Sequence, residues 1–278
     1  MEAIDLKQTQ QAWDNLANGY DNYVTSTHDV EFTKKLLKHA GLQRGMKFLD
    51  VAAGTGALTF PAAQIGARVT SIDISSNMIS FLKRRAKREG LANIEGCVMD
   101  GHALGFPDDS FNVTGSQFGV MLFPDLPKGL QEMVRVTKPG GSVLVIAFST
   151  PDRVDFIQFF FTALQIVMPG FHGLPQDPPP LPFQVSDPAV FRKKMEEAGL
   201  HDVRIISEIE QVEFQSGTEL WNSVINSNPI AVHVTAGLTE KQKIEVRQAM
   251  DDMVREQARG DDVAILKAEL NVAVGRKV

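Results

Sequence analysis

Cysteine occurs once in the 278 residues, at Cys97, so neither an intrachain disulfide nor a thiolate metal cluster can form. Tryptophan and tyrosine occur only twice each, and no histidine, cysteine or acidic residues fall at metal-ligand spacing, so no metal is expected. The opening MEAIDLKQTQQAW has neither the basic nor the apolar region of a secretory leader. The most apolar stretch, residues 156–168, is too short to span a membrane and contains Gln158 and Gln165. The expectation is a cytoplasmic protein without a membrane span. Positive charge is also scarce: 28 Lys and Arg stand against 34 Asp and Glu, a net charge of −6. Residues 1–150 are balanced at 15 each, whereas residues 151–278 carry 13 basic and 19 acidic residues, so no nucleic-acid partner is expected there. What remains is ordinary globular composition, 43% hydrophobic and 22% charged.

From residue 46 to 148, short apolar runs alternate with amphipathic stretches, the pattern of βαβ units around a parallel sheet. Strands are expected at 46–52, 68–74, 94–100, 112–117 and 142–148, with helices at 57–65, at 75–89 after a serine cap, and at 127–137. Pro139-Gly140-Gly141 should stop the last of these and start the fifth strand. The basic run Lys83 to Arg88 sits where cations complement a helix dipole and lacks interleaved aromatics, so it reads as a solvated face. Beyond 150 the rhythm changes to helices at 156–168, 188–199, 217–227 and 239–257 and strands at 203–214 and 267–275, with a Gly- and Pro-rich loop at 170–182. The expected fold is α/β, a Rossmann-like seven-stranded sheet with helices on both faces. It carries an N-terminal helical arm (1–41), a core (42–150), an inserted, mainly helical cap (151–185 and 215–262), and a return to the core sheet (186–214 and 263–278).

The informative segment is FLDVAAGTGALT, residues 48–59, a strand ending at Asp50, a Gly54-Thr55-Gly56 turn and a helix start. Glycines there let the backbone turn and approach a ligand closely. Seventeen residues past Gly56, Asp73 ends the second strand, where a carboxylate can accept both hydrogens of a ribose diol. Thr59 occupies the place of the third glycine of dinucleotide sites, and Asp50, Asp73 and Asp100 gather at the strand ends, favouring an adenosine cofactor of positive charge over a pyrophosphate.

These residues resemble the class I S-adenosylmethionine-dependent methyltransferases, within the broad UbiE-like group acting on small molecules. The similarity runs through FLDVAAGTGALT, IDIS, MDGHALGFPDDSF, QFGVMLFPD and EMVRVTKPGGSVLVIAF in order, and WDNLANGYDNYV is similar to the family's arm. Ala52 departs from a glycine, and Asn112 from an aspartate, common in the family. The resemblance implies S-adenosylmethionine as cofactor and S-adenosylhomocysteine as product. It implies contacts from Tyr20, Asp50, Ala52, Gly54, Thr55, Gly56, Asp73, Ile74, Met78, Asp100, Gly101, His102, Gln117 and Phe118. Asp73 would hold the ribose, Asp100 the adenine amino group and Gln117 the methionine end, while Tyr20 would close over the cofactor.

Methyl transfer from a sulfonium needs alignment and exclusion of water more than acid–base groups. His172, His102 and His28 are therefore only candidates for a base. The segment SQFGVMLFPD lacks the Asn-Pro-Pro-Tyr type motif of enzymes that clamp a flipped base, and a single cysteine disfavours arsenic methylation. Alternatives are an RNA or protein methyltransferase, a nucleotide-cofactor oxidoreductase, or a binding protein that keeps the pocket without catalysis. The acceptor, apolar, aromatic or cationic, is expected at the cap, with Phe123, His172 and Trp221 as candidate contacts. Six of the 17 phenylalanines (Phe148, Phe156, Phe159, Phe160, Phe161 and Phe171) serve there as the cap's own core, as a homodimer interface or as pocket lining.

Overall fold

A computed structural model describes residues 6–27, 29–175 and 178–278. In chain order the elements are α1 (Leu6–Thr27), α2 (Val30–His39), β1 (Lys47–Val51), α3 (Thr59–Ile65), β2 (Arg68–Asp73), α4 (Ser76–Arg88), β3 (Ile94–Val98), β4 (Phe111–Gln117), α5 (Leu126–Val136), β5 (Thr137–Phe148), α6 (Asp155–Val167), α7 (Pro188–Glu197), β6 (His201–Phe214), α8 (Gly217–Ser227), α9 (Pro229–Thr235), α10 (Glu240–Ala258) and β7 (Ala264–Arg276). The seven strands form one sheet in the order β3-β2-β1-β4-β5-β7-β6, parallel except for β7, which runs antiparallel to both neighbours. Chain direction across the sheet reverses between β1 and β4, and a crevice opens there at the carboxyl ends of the strands.

Local signals explain most boundaries. Ser75 caps α4 by accepting from Met78 N, Asp187 caps α7 ahead of Pro188, and Thr239 with Gln242 forms a complete capping box on α10. The Pro-Gly-Gly segment acts differently from expectation. α5 ends at Val136, and Thr137 already pairs with Phe111 before the register shifts to Val113–Ser142, so residues 138–141 form a bulge inside β5. The helix α9 was not foreseen, although Asn228 followed by Pro229 is a cap and first-turn pair, with Asn228 Oδ1 accepting from Ile230 N at 2.9 Å.

Two apolar layers clothe the sheet, one including α5 and α7 and the other α2 and α3. α2 was assigned with the arm, but its Leu36 and Leu37 are fully buried in the second layer, so only α1 stands apart from the sheet. A third cluster, formed by α6, α8, α10 and the ends of β6 and β7, sits above the strand ends as a cap. α1 packs on α4 at one side and on α8 at the other, bridging sheet and cap across the crevice. The basic run of α4 is a solvated face, with Lys83, Arg84, Lys87 and Arg88 exposed, while Arg85 bonds Glu89 at 2.7 Å and lies 4.1 Å from the Phe60 ring centroid. No helix among the described residues is long and apolar enough to cross a membrane.

Candidate functional site

The crevice deepens into a cavity of about 760 Å³ between the strand ends, α1 and the cap. Asp73, only 8% exposed, anchors its floor. Its Oδ2 accepts from Gly54 N and its Oδ1 from Ser75 N, both at 2.8 Å, so the carboxylate clamps the turn after β1 to the start of α4. Each oxygen keeps a second lone pair for a ligand hydroxyl. Burial pushes the Asp73 carboxyl up to about 6 against the lowering effect of those backbone donors.

Gly54 has φ +54°, and a Cβ there would lie 2.9 Å from Tyr20 Cε1. The ring of Tyr20, carried by α1, thus rests directly on the turn, which only glycine permits. Ala52 (φ 56°) and Phe118 (φ 56°) are also left-handed, at the ends of β1 and β4 on either side of the direction reversal. Strain in two non-glycine residues facing one crevice is a common mark of a ligand site. Asn112, the other departure from the family pattern, accepts from Lys47 N at 2.9 Å at the opposite end of the sheet, away from the cavity.

At the end of β3, Asp100 Oδ1 takes the His102 backbone N–H at 2.9 Å and faces His102 Nδ1 at 2.8 Å. The His102 ring lies 4.4 Å from the Phe123 ring, and its buried Nε2 has no partner among the described residues. Gly101 lies under Phe123, where a Cβ would come within 2.4 Å of the ring. Gln117 Oε1 is likewise buried and unpartnered at the cavity. Two unsatisfied polar atoms, a clamped carboxylate and a turn too tight for a side chain are the set that an adenosyl cofactor with a polar amino-acid tail would complete. The residues present therefore fit the cofactor implied by the sequence resemblance.

Tyr20, Ala52, Gly54, Asp73, Ile74, Met78, Asp100, Gly101, His102, Gln117, Phe118 and Phe123 all line this one cavity. Asp50, Thr55 and Gly56 do not. Asp50 is 1% exposed, its Oδ2 accepting from Thr59 Oγ1 at 2.6 Å in a cluster that includes Ser71, so it braces the turn from inside. Thr55 is fully buried, and Gly56 leaves space for Phe60, whose ring a Cβ would meet at 2.5 Å. Trp221 is also displaced from expectation: it packs 6.1 Å from Phe160 in the cap's own core. His172 is exposed in the cap loop outside the cavity lining, and His28 lies outside the described residues. Among the cap phenylalanines, Phe148, Phe156, Phe160 and Phe161 line the cavity, while Phe159 and Phe171 pack in the cap cluster.

Sequence reasoning missed Trp13, Phe183, Glu210 and the α9 residues Ile230 and Val234, all lining the cavity. It also missed Asp14 of α1. Asp14 Oδ1 accepts from Ser75 Oγ at 2.6 Å and from Asn77 N at 3.0 Å, and the Asp14 carbonyl accepts from Asn77 Nδ2 at 3.0 Å. A carboxylate on the first turn of α4 also meets the positive end of the helix dipole. Asp14→Ala is expected to weaken cofactor binding by about 1 kcal/mol, roughly fivefold, with little change in thermal stability. Calorimetry and amide exchange along α1 check this, and an unchanged affinity with an unaltered α1 would show that Asp14 does not hold α1 over the cofactor.

Residues 1–175 match the model of the ubiE/COQ5 methyltransferase family. A demethylmenaquinone methyltransferase of Geobacillus stearothermophilus is 30% identical over 174 residues, covering 60% of this chain and 74% of that protein. Its Staphylococcus aureus counterpart is 34% identical over 175 residues, covering 60% and 71%. Among solved structures, the [4+2]-cyclase SpnF superposes with a TM-score of 0.60 at 17% identity, covering 99% of this chain and 97% of that one. That last likeness shows the fold alone, since a cyclase shares it.

Proposed function

This chain belongs to the ubiE/COQ5 methyltransferase family and is an S-adenosylmethionine-dependent methyltransferase of small molecules; we propose that the cavity described above holds the cofactor at its Asp73 end and an apolar or aromatic acceptor beneath the cap. The observation that carries the reading is the convergence of the clamped Asp73, the Tyr20-covered Gly54 turn and the unpartnered Gln117 on one cavity. In this reading Asp73 receives the ribose diol, Asp100 the adenine amino group with His102 beside it, and Gln117 the methionine end.

S-adenosylmethionine supplies a methyl group on a sulfonium sulfur, a good leaving group. The protein's share is alignment and dryness. Tyr20 and Trp13 on α1 close the cofactor side, their rings meeting edge to face at 6.3 Å, and Phe118 stacks on Phe148 at 4.2 Å where the cavity passes from β4 toward the cap. Placing both reactants in one water-poor cavity can supply much of the lowering of the barrier without a dedicated base. α1 acts as the lid, and residues 151–185 and 215–262 act as the acceptor-binding cap. An aromatic acceptor of the quinone type is supported by the names of the relatives and by the phenylalanine-rich lining. Cytoplasmic residence, with Cys97 unpaired, belongs to the same reading.

The test is transfer of labelled methyl from S-adenosylmethionine to an extracted metabolite pool, alongside calorimetric titration with S-adenosylhomocysteine. Stabilisation by NAD but not by S-adenosylhomocysteine would overturn the cofactor assignment.

A further inference from the structure

Part of the cavity wall is made by residues outside the family match, notably Phe183, Ile230, Val234 and Glu210. Glu210 is the one acidic side chain among the lining residues from this part of the chain. It sits on β6 opposite Ala268 of β7. From residue 207 to 213, the odd-numbered residues of β6 are exposed, and the even-numbered ones turn toward the cap, ending in buried Val212 and Phe214. Hydrophobic and charged positions are thus inverted at one step: Ile209 is 53% exposed, while Glu210 faces the apolar cavity.

Two residues earlier on the same face, Glu208 is satisfied by Lys35 and by His39 Nε2 at 2.9 Å. Glu210 has no hydrogen-bond or ion-pair partner among the described residues. Burial, with repulsion from Asp29, pushes its carboxyl up to about 7. A carboxylate held unpaired among apolar groups is unfavourable, and a ligand ammonium would offset that by a charge-assisted hydrogen bond. Apart from Asp73 and Asp100, assigned to the cofactor, the charged lining residues are Asp125 and Lys128, which balance, so Glu210 is the unbalanced charge on the acceptor side. β6 lies three strand spacings from β4, and Glu210 stands four residues beyond Ile206, the β6 position in register with Gln117, so the two are roughly 20 Å apart across the sheet.

Building on the methyltransferase reading of this cavity, we propose that the acceptor is an elongated apolar molecule with an ammonium group at the end remote from the methylated atom, and that Glu210 is the residue that receives this ammonium. Glu210 therefore determines specificity, and it stands too far from the methionine end to act as the base. Phe148, Phe156, Phe160 and Phe161 hold the apolar body, and the acceptor's length is set by the span from Gln117 to Glu210. Because this wall belongs to the segment beyond residue 175, its choice of acceptor is independent of the family match.

The experiment uses the full chain saturated with S-adenosylhomocysteine and two probes, a 2-naphthol bearing a six-carbon chain ending in ammonium and the same molecule ending in hydroxyl. Calorimetry is expected to show the ammonium probe binding at least tenfold more tightly. In Glu210→Gln that preference disappears, while the alcohol and S-adenosylhomocysteine bind as before. Equal binding of the two probes to the unaltered protein, binding of neither, or a preference that survives Glu210→Gln overturns the proposal. The comparison of probes on the unaltered protein decides even if the variant folds poorly. Failure of S-adenosylhomocysteine to bind at all would instead count against the methyltransferase reading of the cavity.

Discussion

Asp73→Ala weakens S-adenosylmethionine binding by about 1.5–3 kcal/mol, roughly 10- to 150-fold, through loss of charge-assisted hydrogen bonds to the ribose diol. The substitution also strips Gly54 N and Ser75 N of their acceptor, so the turn loosens and stability falls by about 1–3 kcal/mol. Asp73→Asn separates the two effects. The amide oxygen can still accept one backbone N–H, so stability recovers in part, while the neutral amide holds the diol less well than a carboxylate. The expected order of affinity is Asp, then Asn, then Ala, read by calorimetry on protein whose melting transition is cooperative. An unchanged affinity in a folded Asp73→Ala protein would remove the ribose assignment.

The second large effect concerns stability and pH. Burial, opposed by the Thr59 hydroxyl and reinforced by the Asp73 charge, pushes the Asp50 carboxyl from 3.8 up to about 7. Between those values the unfolded chain has lost the proton that the folded protein still holds. The stability contributed by Asp50 is therefore fully present below about pH 4 and is lost as pH rises through 7, the reverse of an ion-paired carboxylate. The loss from Asp50 is on the order of 4 kcal/mol, and Asp73 adds to it in the same direction up to about pH 6. Asp50→Asn keeps an acceptor for Thr59 and carries no charge. Its urea stability should match the unaltered protein within about 1 kcal/mol at pH 4 and exceed it by about 2 kcal/mol or more at pH 8. Parallel curves for the two proteins across this range would show that Asp50 does not titrate with folding. Because Asp50 lies behind the turn and outside the cavity, this gain should leave cofactor affinity nearly intact.

Legibility followed the range of the signals. The strand at residues 48–51, the glycine turn and Asp73 were readable because their chemistry is local: a strand end, a tight turn and a carboxylate one βα unit later. Asp14 was not readable, because its partners lie more than sixty residues away and nothing in WDNLANGYDNYV marks which face of α1 meets α4. Trp221 misled in the opposite direction, since an amphipathic helix shows which residues are inward but not whether inward means a packed core or a cavity wall. Glu210 had a faint signal, a charge in register with Val212 and Phe214, but the alternating run HDVRIISEIEQVEF also fits a strand with a solvated face.

The sequence by itself determined the doubly wound sheet, the adenosine-type turn with its acid and the family, because each rests on spacing within short segments. Its charge asymmetry also placed the acidic excess in the back half. Only the tertiary structure decided that Asp50 braces while Asp73 lines, that α2 joins the core while α1 bridges sheet and cap, and which phenylalanines face the cavity. It also turned one of those back-half acids, Glu210, toward an apolar wall. Lining and bracing depend on which surfaces meet when α1 and the cap fold over the strand ends, and that meeting joins residues far apart in the chain.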